Sequence, residues 1–514
     1  MNLSTFPQQM QSLMSGGAVN GSMGGNMAEY QELVKALEAG TNSGPSAYTS
    51  DVANLTQGGA LAVQSLDTTM KTTIQENKHF TLFNRLAQSN AINIVDEYST
   101  QSHVGGFLGG STNTQMGVVR AAQGQYKREV GLVKFLMSLR QVGYVLNIGK
   151  NIAEPIAIEE RNGALQLLTD ANYLLYHGDS EVVDSQFDGV FKQIDNAVKK
   201  GEMSEDCIVD MRAAPLQSVE PFSQINVAVS SYGSWGRSTD AFLPNSVQND
   251  LNMGLDPAFR WMEDGSNLPM IGGHVSGIRL INGVLRTQMD TFLHCEENPM
   301  THVFELSNQT LAAANHTLKP TSVSAAPSTA SGMFEAGQDG AYVYAVAGIS
   351  RSGAGYSQAV VATGAATAAV GGSIELTIAH PKVDDLGGLA IYRGRKGVPL
   401  PTAAGSKPED LLPDMRLVKI IPADKSGSTK FTDDNRNIPG TVSVPLLNLE
   451  AGADAIGWRQ FQPMTKIQLP FGVGGMPVMS WFQFLFGYLR MTKPKHHGYI
   501  KNILPSKATW RPFE

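Results

Sequence analysis

The sequence predicts an α+β protein that carries an inserted all-β domain. Three observations lead to this prediction. A strand-rich, glycine-rich segment precedes a long amphipathic helix at about 154–179. Short alternating strands separated by turn residues fill 318–445, a stretch rich in Ala, Gly, Ser, Thr and Val. The composition of the earlier part returns after residue 446, so the strand-rich stretch interrupts a host domain.

Composition and charge restrict the class of function. Of the 514 residues, 42% are hydrophobic and 17% are charged, which favours real cores and a surface that other subunits partly cover. The net charge of −7 argues against a protein that binds nucleic acid through its phosphates. Cys207 and Cys295 are the two cysteines. They cannot build a disulfide framework or a CxxC zinc pair, and they fit a reducing, cytoplasmic environment.

Neither the N-terminus nor any apolar run indicates a membrane protein. The first residues lack the basic and apolar regions of a signal peptide. No run reaches the roughly 18 apolar residues that a membrane span needs. The nearest run, 476–489, is too short and contains Gln483.

The chain before the long helix is predicted to form an arm and a hairpin. Residues 1–45 should be an extended arm, because the first part consists mainly of Gly, Ser, Met, Asn and Gln; a short helical pattern occupies 28–40. We expect an extended stretch, a helix and a strand in 57–97. A projecting hairpin is predicted at 98–147, because this segment is glycine-rich in its distal half and strand-like at its base.

The long helix has a recognisable start, apolar face and end. Pro155 lies in the first turn, where its missing N–H costs nothing. Gly178 follows the last apolar residues, so we expect it to adopt the left-handed conformation, with positive φ, of a helix C-cap. Asp179 should accept hydrogen bonds from nearby backbone N–H groups in an Asx-type turn. The apolar face comprises Ala164, Leu167, Leu168, Ala171, Leu174 and Leu175.

Further elements are predicted in the mixed region up to 317 and in the inserted domain. Helical patterns occur at 187–201 and 246–255. The inserted domain should be a small β-sandwich, and its predicted strands lie in 341–350, 373–380, 388–394, 415–422 and 429–433.

Polar residues crowd the stretch that follows the long helix. His177 and Asp179, with Ser180 beside them, could belong to a catalytic triad or a metal site. Ligands on one helix need a spacing of three or four residues, however, and triad members meet across the fold. A helix end followed by a turn accounts for the same residues. We therefore interpret them as structural.

Two other pairs are weaker candidates for chemistry. His294 and Cys295 are adjacent and would point to opposite faces of a strand. His496 and His497 fail as a metal pair for the same reason. With nearby lysines they could touch phosphate, but a solvated or inter-subunit face fits them better. Because no GxGxxG, GxxxxGK[ST], HExxH, GxSxG or EF-hand pattern occurs, we predict no enzyme and no catalytic, cofactor or metal site.

The order of arm, hairpin and long helix resembles the major capsid proteins of tailed double-stranded DNA bacteriophages, which have the HK97-type fold. In that family an aromatic residue or Leu precedes a Gly-Asp turn after the helix, and a Gly-hydrophobic step follows. The matching positions here are Tyr176, Gly178, Asp179 and the step from Gly189 to Val190. The spacer between them, SEVVDSQ at 180–186, is longer than in the family.

The inserted domain has a resemblance of its own. The segment YVYAVAGISRSGAGYSQAVV at 342–361 looks like the strand–turn–strand of fibronectin-III or Ig-like domains. Together the two resemblances imply a division of the chain: N-terminal arm 1–45, first part of the peripheral domain 46–97, E-loop 98–147, peripheral domain with spine helix 148–204, axial domain and return 205–317, inserted Ig-like domain 318–445, and remaining axial and peripheral parts 446–514.

The capsid resemblance implies self-assembly into the hexamers and pentamers of an icosahedral head around the genome. It implies portal, scaffolding or decoration proteins as partners, non-specific proximity to packaged DNA, no membrane and no cofactor. The protein would be made in the host cytoplasm and reside in the virion. On this hypothesis the run around Trp481 and Phe486 is core or a contact within a capsomer. The alternative is a surface adhesin or tail-associated protein whose Ig-like domain binds carbohydrate.

Overall fold

The computed structural model describes residues 81–119, 121–148, 154–254, 277–293, 316–353, 355–401, 407–472 and 477–514. These residues belong to one unit, Thr73–Glu514. The predicted arm and residues 46–80 lie outside the described part. The α+β class is confirmed, since helices and sheets share one core and a separate run of strands follows.

The α-helices of the described residues all lie in the host part. They are α1 (Thr81–Arg85), α2 (Tyr144–Ile148), α3 (Pro155–His177), α4 (Val190–Lys199), α5 (Glu220–Ser230) and α6 (Asn245–Gly254). The long helix α3 and the later helices α4 and α6 were predicted from their apolar spacing and are confirmed. Short 3-10 turns occur at Glu205–Cys207, Thr291–Leu293, His316–Leu318, Pro408–Asp414, Gly452–Asp454 and Pro494–His496.

In the described ranges of the host part, the β-structure consists of two sheets and one ribbon. The strands are β1 (Ala87–Asn90), β2 (Val95–His103), β3 (Gln125–Leu132), β4 (Lys134–Gly143), β5 (Ile208–Asp210), β6 (Asp240–Leu243), β7 (Gly277–Leu280), β8 (Gly283–Met289), β18 (Val442–Leu447), β19 (Ile456–Gln468), β20 (Val478–Met491) and β21 (Gly498–Ile503). The four-stranded sheet has the order β1-β19-β20-β4, and the six-stranded sheet has the order β5-β21-β18-β6-β8-β7. Strands β2 and β3 form the ribbon.

Helix α3 lies on one face of the four-stranded sheet. Its buried residues include Leu167, Ala171 and Leu175, which belong to the predicted apolar face. Ala171 and Leu175 join one core with Trp458 of β19 and Leu485 of β20. Burial of apolar surface contributes about 25 cal/mol per Å², so this layer is a main source of the host's stability.

The hairpin is shorter than the sequence predicts. The antiparallel ribbon of β2 and β3 ends at Leu132. The following strand, β4, pairs with β20 and so belongs to the sheet under α3. Alternation alone could not separate these segments, because a ribbon strand and a sheet strand share the same period of two.

The inserted stretch forms an all-β unit, and each predicted strand is present. Its strands are β9 (Ser322–Ser328), β10 (Gly340–Tyr342), β11 (Tyr344–Ser350), β12 (Val360–Val361), β13 (Ala366–Ala368), β14 (Ser373–Ala379), β15 (Leu386–Arg393), β16 (Arg416–Pro422) and β17 (Ser428–Asp433). One sheet has the order β12-β11-β15-β16, a second has the order β17-β14-β9, and β10 pairs with β13. The unit has a core of its own, which includes Val346, Leu376 and Leu389.

The sheet that contains β11 and β15 is buried on both of its faces. Every residue of these two strands is buried. One face belongs to the core just described, and the other packs against Leu412 and Met415 and against two valines of the host, Val182 and Val183. A strand covered on both sides shows little alternation of polar and apolar residues, as the segment 344–350 illustrates.

Candidate functional site

The turn after α3 brings two glycines against the end of the helix. Gly178 has φ −59° and ψ 139°, so the predicted left-handed conformation is wrong. A methyl group added at Gly178 would lie 2.7 Å from the carbonyl oxygen of Leu174 and closer still to that of Phe187. At Gly189 it would lie 2.6 Å from the carbonyl oxygen of Tyr176. Close approach of the backbone therefore accounts for both glycines.

The polar residues after the helix bond to the turn itself. The Asp179 carboxylate accepts a hydrogen bond from the Glu181 backbone N–H at 2.9 Å, which is an Asx-type contact. Asp188 Oδ1 accepts one from the Ser180 N–H, also at 2.9 Å. Lys192 Nζ lies 3.1 Å from Asp179 Oδ2 and 2.6 Å from Glu181 Oε2. Its hydrogen bond holds the pKa of the Glu181 carboxyl below its usual value.

The long spacer 180–186 attaches the inserted unit to the end of α3. Val182 and Val183 are almost completely buried in the core that covers β11 and β15. A methyl group added at Gly388 would lie 2.6 Å from Val182 Cγ1, so glycine allows this approach. The Asp184 N–H donates to the Arg351 carbonyl at 3.3 Å. The sequence shows the spacer's length and its two valines, but it does not show which surface receives them.

A salt bridge fixes the base of the β2–β3 ribbon. Arg459 donates from Nε and Nη2 to the two oxygens of Asp96, each at 2.8 Å. The Tyr488 hydroxyl donates to Asp96 Oδ2 at 2.6 Å, and Arg490 Nη1 lies 3.6 Å from the same oxygen. The hydrogen bond from Arg459 is the main reason that the pKa of Asp96 lies below its usual value. The ribbon therefore leaves the host sheet from a firmly held position.

The ribbon and its tip expose many apolar side chains. The glycines at the tip, Gly105, Gly106 and Gly109, have positive φ and let the chain turn tightly. In the described residues between the two strands, the exposed apolar residues are Val104, Phe107, Leu108, Met116, Val118 and Val119. Tyr126, Val130 and Leu132 on β3 are exposed as well. A soluble monomer rarely displays so many large apolar groups together, which marks a contact surface.

The four-stranded sheet exposes a second apolar surface, on strands β4, β19 and β20. Cross-strand pairing places Leu139 beside Phe482, and Phe482 beside Ile467. Met137 pairs with Phe484 in the next row. We call this set the open sheet face: Phe135, Met137, Leu139, Ile467, Phe482, Phe484 and Phe486. Leu139 is 50% and Ile467 52% exposed, whereas the alternate residues of β20, such as Trp481 and Leu485, are buried.

Gln483 explains the polar residue in the apolar run of β20. Its side-chain amide donates to the backbone carbonyl of Glu160 in α3 at 2.9 Å. A methyl group added at Gly163 would overlap the Gln483 carbonyl oxygen. A glycine inside a helix and a glutamine inside a strand thus fit each other and let α3 approach the sheet. In the sequence, Gly163 interrupts a helical pattern and Gln483 interrupts an apolar run. These two interruptions are the signal of the contact that the sequence contains.

The remaining sequence candidates show no assembled chemistry. His497 is fully buried, and its Nδ1 accepts a hydrogen bond from the Asn448 N–H at 3.1 Å. The expectation of a solvated or inter-subunit position is therefore wrong for His497, because its ring fills the subunit interior. His294 and Cys295 lie outside the described residues.

Among the described residues, no three His, Cys, Asp or Glu side chains are placed to hold a metal ion. Within the same ranges, no helix has both the length and the apolar character that crossing a membrane requires.

Solved structures similar to this chain include the capsid of a GTA particle, a Gordonia phage structure and an encapsulin complex. The capsid of a native GTA particle has TM-score 0.45 and 8% identity, covering 88% of this chain and 100% of that one. The structure from Gordonia phage Cozz has TM-score 0.41 and 6% identity, and the match covers 89% of this chain and 97% of that one. The holo-SrpI encapsulin complex of Synechococcus elongatus has TM-score 0.35 and 8% identity, and the match covers 90% of this chain and 98% of that one. No family model and no curated protein matches the sequence.

Proposed function

We propose that this chain is the major capsid protein of a tailed bacteriophage. It would assemble into hexamers and pentamers and close an icosahedral shell around double-stranded DNA. The observation that supports this most directly is the presence of two separate exposed apolar surfaces, the ribbon with its tip and the open sheet face. Each surface is larger than a few scattered side chains. Covering both of them removes apolar area from water, which favours association of folded subunits.

The position of the two surfaces favours association of identical copies. The β2 strand alone contains nine residues, so at about 3.3 Å per residue the tip stands roughly 30 Å from the base. The ribbon begins where Asp96 binds Arg459 at the host sheet. A surface that projects this far reaches a neighbour. When the contacting patches of two copies differ, the association is head-to-tail, and it closes into rings if the rotation allows.

The domain division follows from this proposal. We assign the E-loop to the β2–β3 ribbon and its tip, the spine helix to α3, and the axial domain to the six-stranded sheet. Within the predicted span 318–445, we assign strands β9 to β17 to an inserted Ig-like module on the outer surface of the shell, whereas β18, which begins at Val442, belongs to the host sheet. Portal, scaffolding or decoration proteins would be further partners, in a virion made in the host cytoplasm. The acidic chain would lie near packaged DNA without gripping it.

Electron microscopy of the purified protein tests the proposal. We expect closed shells or hexameric rings. Isolated monomers or trimers at all concentrations would contradict it and would favour the carbohydrate-binding adhesin.

A variant with a matched control tests whether assembly requires the open sheet face. Leu139→Ser with Ile467→Ser should abolish shells while the subunit stays folded, because both side chains are half exposed. The control is Val370→Ser, which changes a 60% exposed valine on the inserted unit. Shells from the control but not from the double variant would agree with the proposal. Normal assembly of the double variant would show that the open sheet face makes no contact.

A further inference from the structure

The six-stranded sheet ends in two different edge strands. Strand β5 forms one edge and β7 the other. In the described residues, β5 pairs only with β21 and β7 only with β8. Strands in a sheet lie about 4.8 Å apart, so roughly 24 Å separates the two edges. One subunit cannot bring them together.

The β5 edge borders an acidic groove. The groove has a volume of about 780 Å³ and lies between the segment 204–210 and helix α5. Asp206 and Glu220 line it together with the apolar side chains of Ile208 and Val227. Val227 is 53% exposed although it lies on a helix that packs against the sheet. Asp206 accepts a hydrogen bond from the Ser204 hydroxyl and Glu220 accepts one from the Gln224 amide, but among the described residues no basic side chain forms an ion pair with either carboxylate.

The opposite edge carries a basic and apolar surface. The register of β7 and β8 pairs Ile278 with Leu285 on the buried face. Arg279 pairs with Val284 and lies on the other face, which is exposed, and Arg286 shares that face. The turn between the strands adds Ile281, which is 82% exposed. Within the described part of the chain, neither arginine forms an ion pair with an acidic side chain.

We propose that the β7–β8 hairpin of one copy binds the groove beside β5 of the next copy. Two arginines would face Asp206 and Glu220, while Val284 and Ile281 would cover Val227 and Ile208. The charges and the apolar groups of the two edges are complementary, and an open strand edge can accept a further strand. Because the two patches differ and lie on opposite edges of one sheet, repetition leads from copy to copy around a ring. The inference rests on the proposed self-assembly and names one contact within the capsomer.

Charge reversal on each side tests the contact. One variant carries Arg279→Glu and Arg286→Glu, and the other carries Asp206→Arg and Glu220→Arg. Each should need at least about tenfold more protein than wild type to form rings, because like charges then face each other. The measurement is native mass spectrometry or light scattering over a concentration series. Lys430→Glu, which changes an exposed charge of the inserted unit, is the matched control and should leave assembly unchanged.

A mixture of the two variants gives the decisive result. Glutamates of the first would then face arginines of the second, and every second contact would keep the wild-type pairing. We therefore expect rings to return in the equimolar mixture. Failure of the mixture, or ring formation by either variant alone at the wild-type concentration, would overturn the inference. If wild type forms rings but neither variant is impaired, only this contact is wrong; if wild type never assembles, the proposed function fails with it.

Discussion

The backbone closes tightly on itself at Gly178, where the chain returns to the end of α3. The Gly189 N–H donates to the Gly178 carbonyl at 2.9 Å, and this return leaves no room for a side chain at Gly178. The observed φ of −59° is open to any residue, so conformation alone does not require glycine. The restriction is steric and comes from residues about ten positions further along the chain, which a helix-end pattern does not reveal.

The first prediction concerns this close approach. Gly178→Ala should lower the free energy of unfolding by about 2 kcal/mol, because the methyl group forces the Leu174 and Phe187 carbonyls apart. Urea unfolding of the subunit measures the change. The matched control is Gly143→Ala, where an added methyl group meets no atom within 4 Å. A Gly178→Ala variant as stable as this control would refute the steric explanation.

The second prediction concerns pH. Burial lowers the pKa of His497 from 6.5 to about 3. Below pH 6.5 the unfolded chain binds a proton that the folded chain does not, so stability is complete above pH 6.5 and falls as the pH drops towards 3. The slope should be about 1.4 kcal/mol per pH unit. Urea unfolding between about pH 7 and pH 5 measures it.

His497→Gln serves as the comparison, because glutamine does not titrate in this range. Its free energy of unfolding should be lower near neutral pH but should fall less steeply with decreasing pH. Equal slopes for both proteins would show that other groups cause the acid sensitivity.

Among the elements, the ribbon is anchored at its base by the carboxylate of Asp96. Asp96 stands at the start of β2, and its partners Arg459 and Tyr488 come from β19 and β20. Its side chain is only 11% exposed. The salt bridge therefore joins the ribbon to the sheet that carries the open sheet face. We infer that it sets the direction in which the ribbon projects.

The third prediction follows from that anchor. Asp96→Asn should cost about 3 kcal/mol, because Arg459 and Arg490 are left without their common carboxylate. It should also speed proteolysis in the ribbon and reduce the yield of shells. The control is Glu97→Gln, next in sequence, whose partner Arg128 is 73% exposed. That pair should contribute less than about 1 kcal/mol. Equal losses of unfolding free energy from Asp96→Asn and Glu97→Gln would contradict the role of Asp96 as the anchor of the ribbon.

At the scale of the whole molecule, the inserted unit is docked firmly on the host. Val182 and Val183 lie in its second core, and Trp510 near the end of the chain donates from Nε1 to the Asp414 carbonyl at 2.7 Å. The Arg416 guanidinium lies over the Trp510 ring. The unit therefore has a host surface fitted to it, which its separate composition in the sequence did not suggest.

The fourth prediction is a removal experiment. Replacing residues 320–440 by a short Gly-Ser linker, which leaves the host strand β18 intact, should still give closed shells, with protrusions missing from the outside in cryo-electron microscopy. The bare replacement exposes Val182 and Val183, so it should give less soluble protein than the same replacement with both valines changed to serine. Density lost from the interior, or no assembly of the serine variant, would show that the outer placement is mistaken.

Local patterns in the sequence were enough to predict part of the elements, although helix α5 and the strands of the six-stranded sheet were not predicted. The apolar spacing of Leu167, Ala171 and Leu175 predicted α3, and short apolar runs between turn residues predicted five strand segments of the inserted unit, because period and propensity are local properties. Strands β9, β12 and β13 fall outside those segments. The polar run after Tyr176 was interpreted as a turn for the same reason. Composition separated the inserted unit from the host.

Contacts between distant segments were decided only by the tertiary structure. The sequence does not show that Asp96 binds Arg459, that Val182 enters another core, or that Gly163 faces Gln483, since each contact arises from the packing of separate elements. The sequence also does not show that β3 belongs to the ribbon and β4 to the four-stranded sheet, because side chains alternate between two faces in both strands. The side of a strand that remains open, as at Phe482, depends on which face α3 covers. Local chemistry thus determined which elements form, and long-range packing decided which surfaces they leave for neighbours.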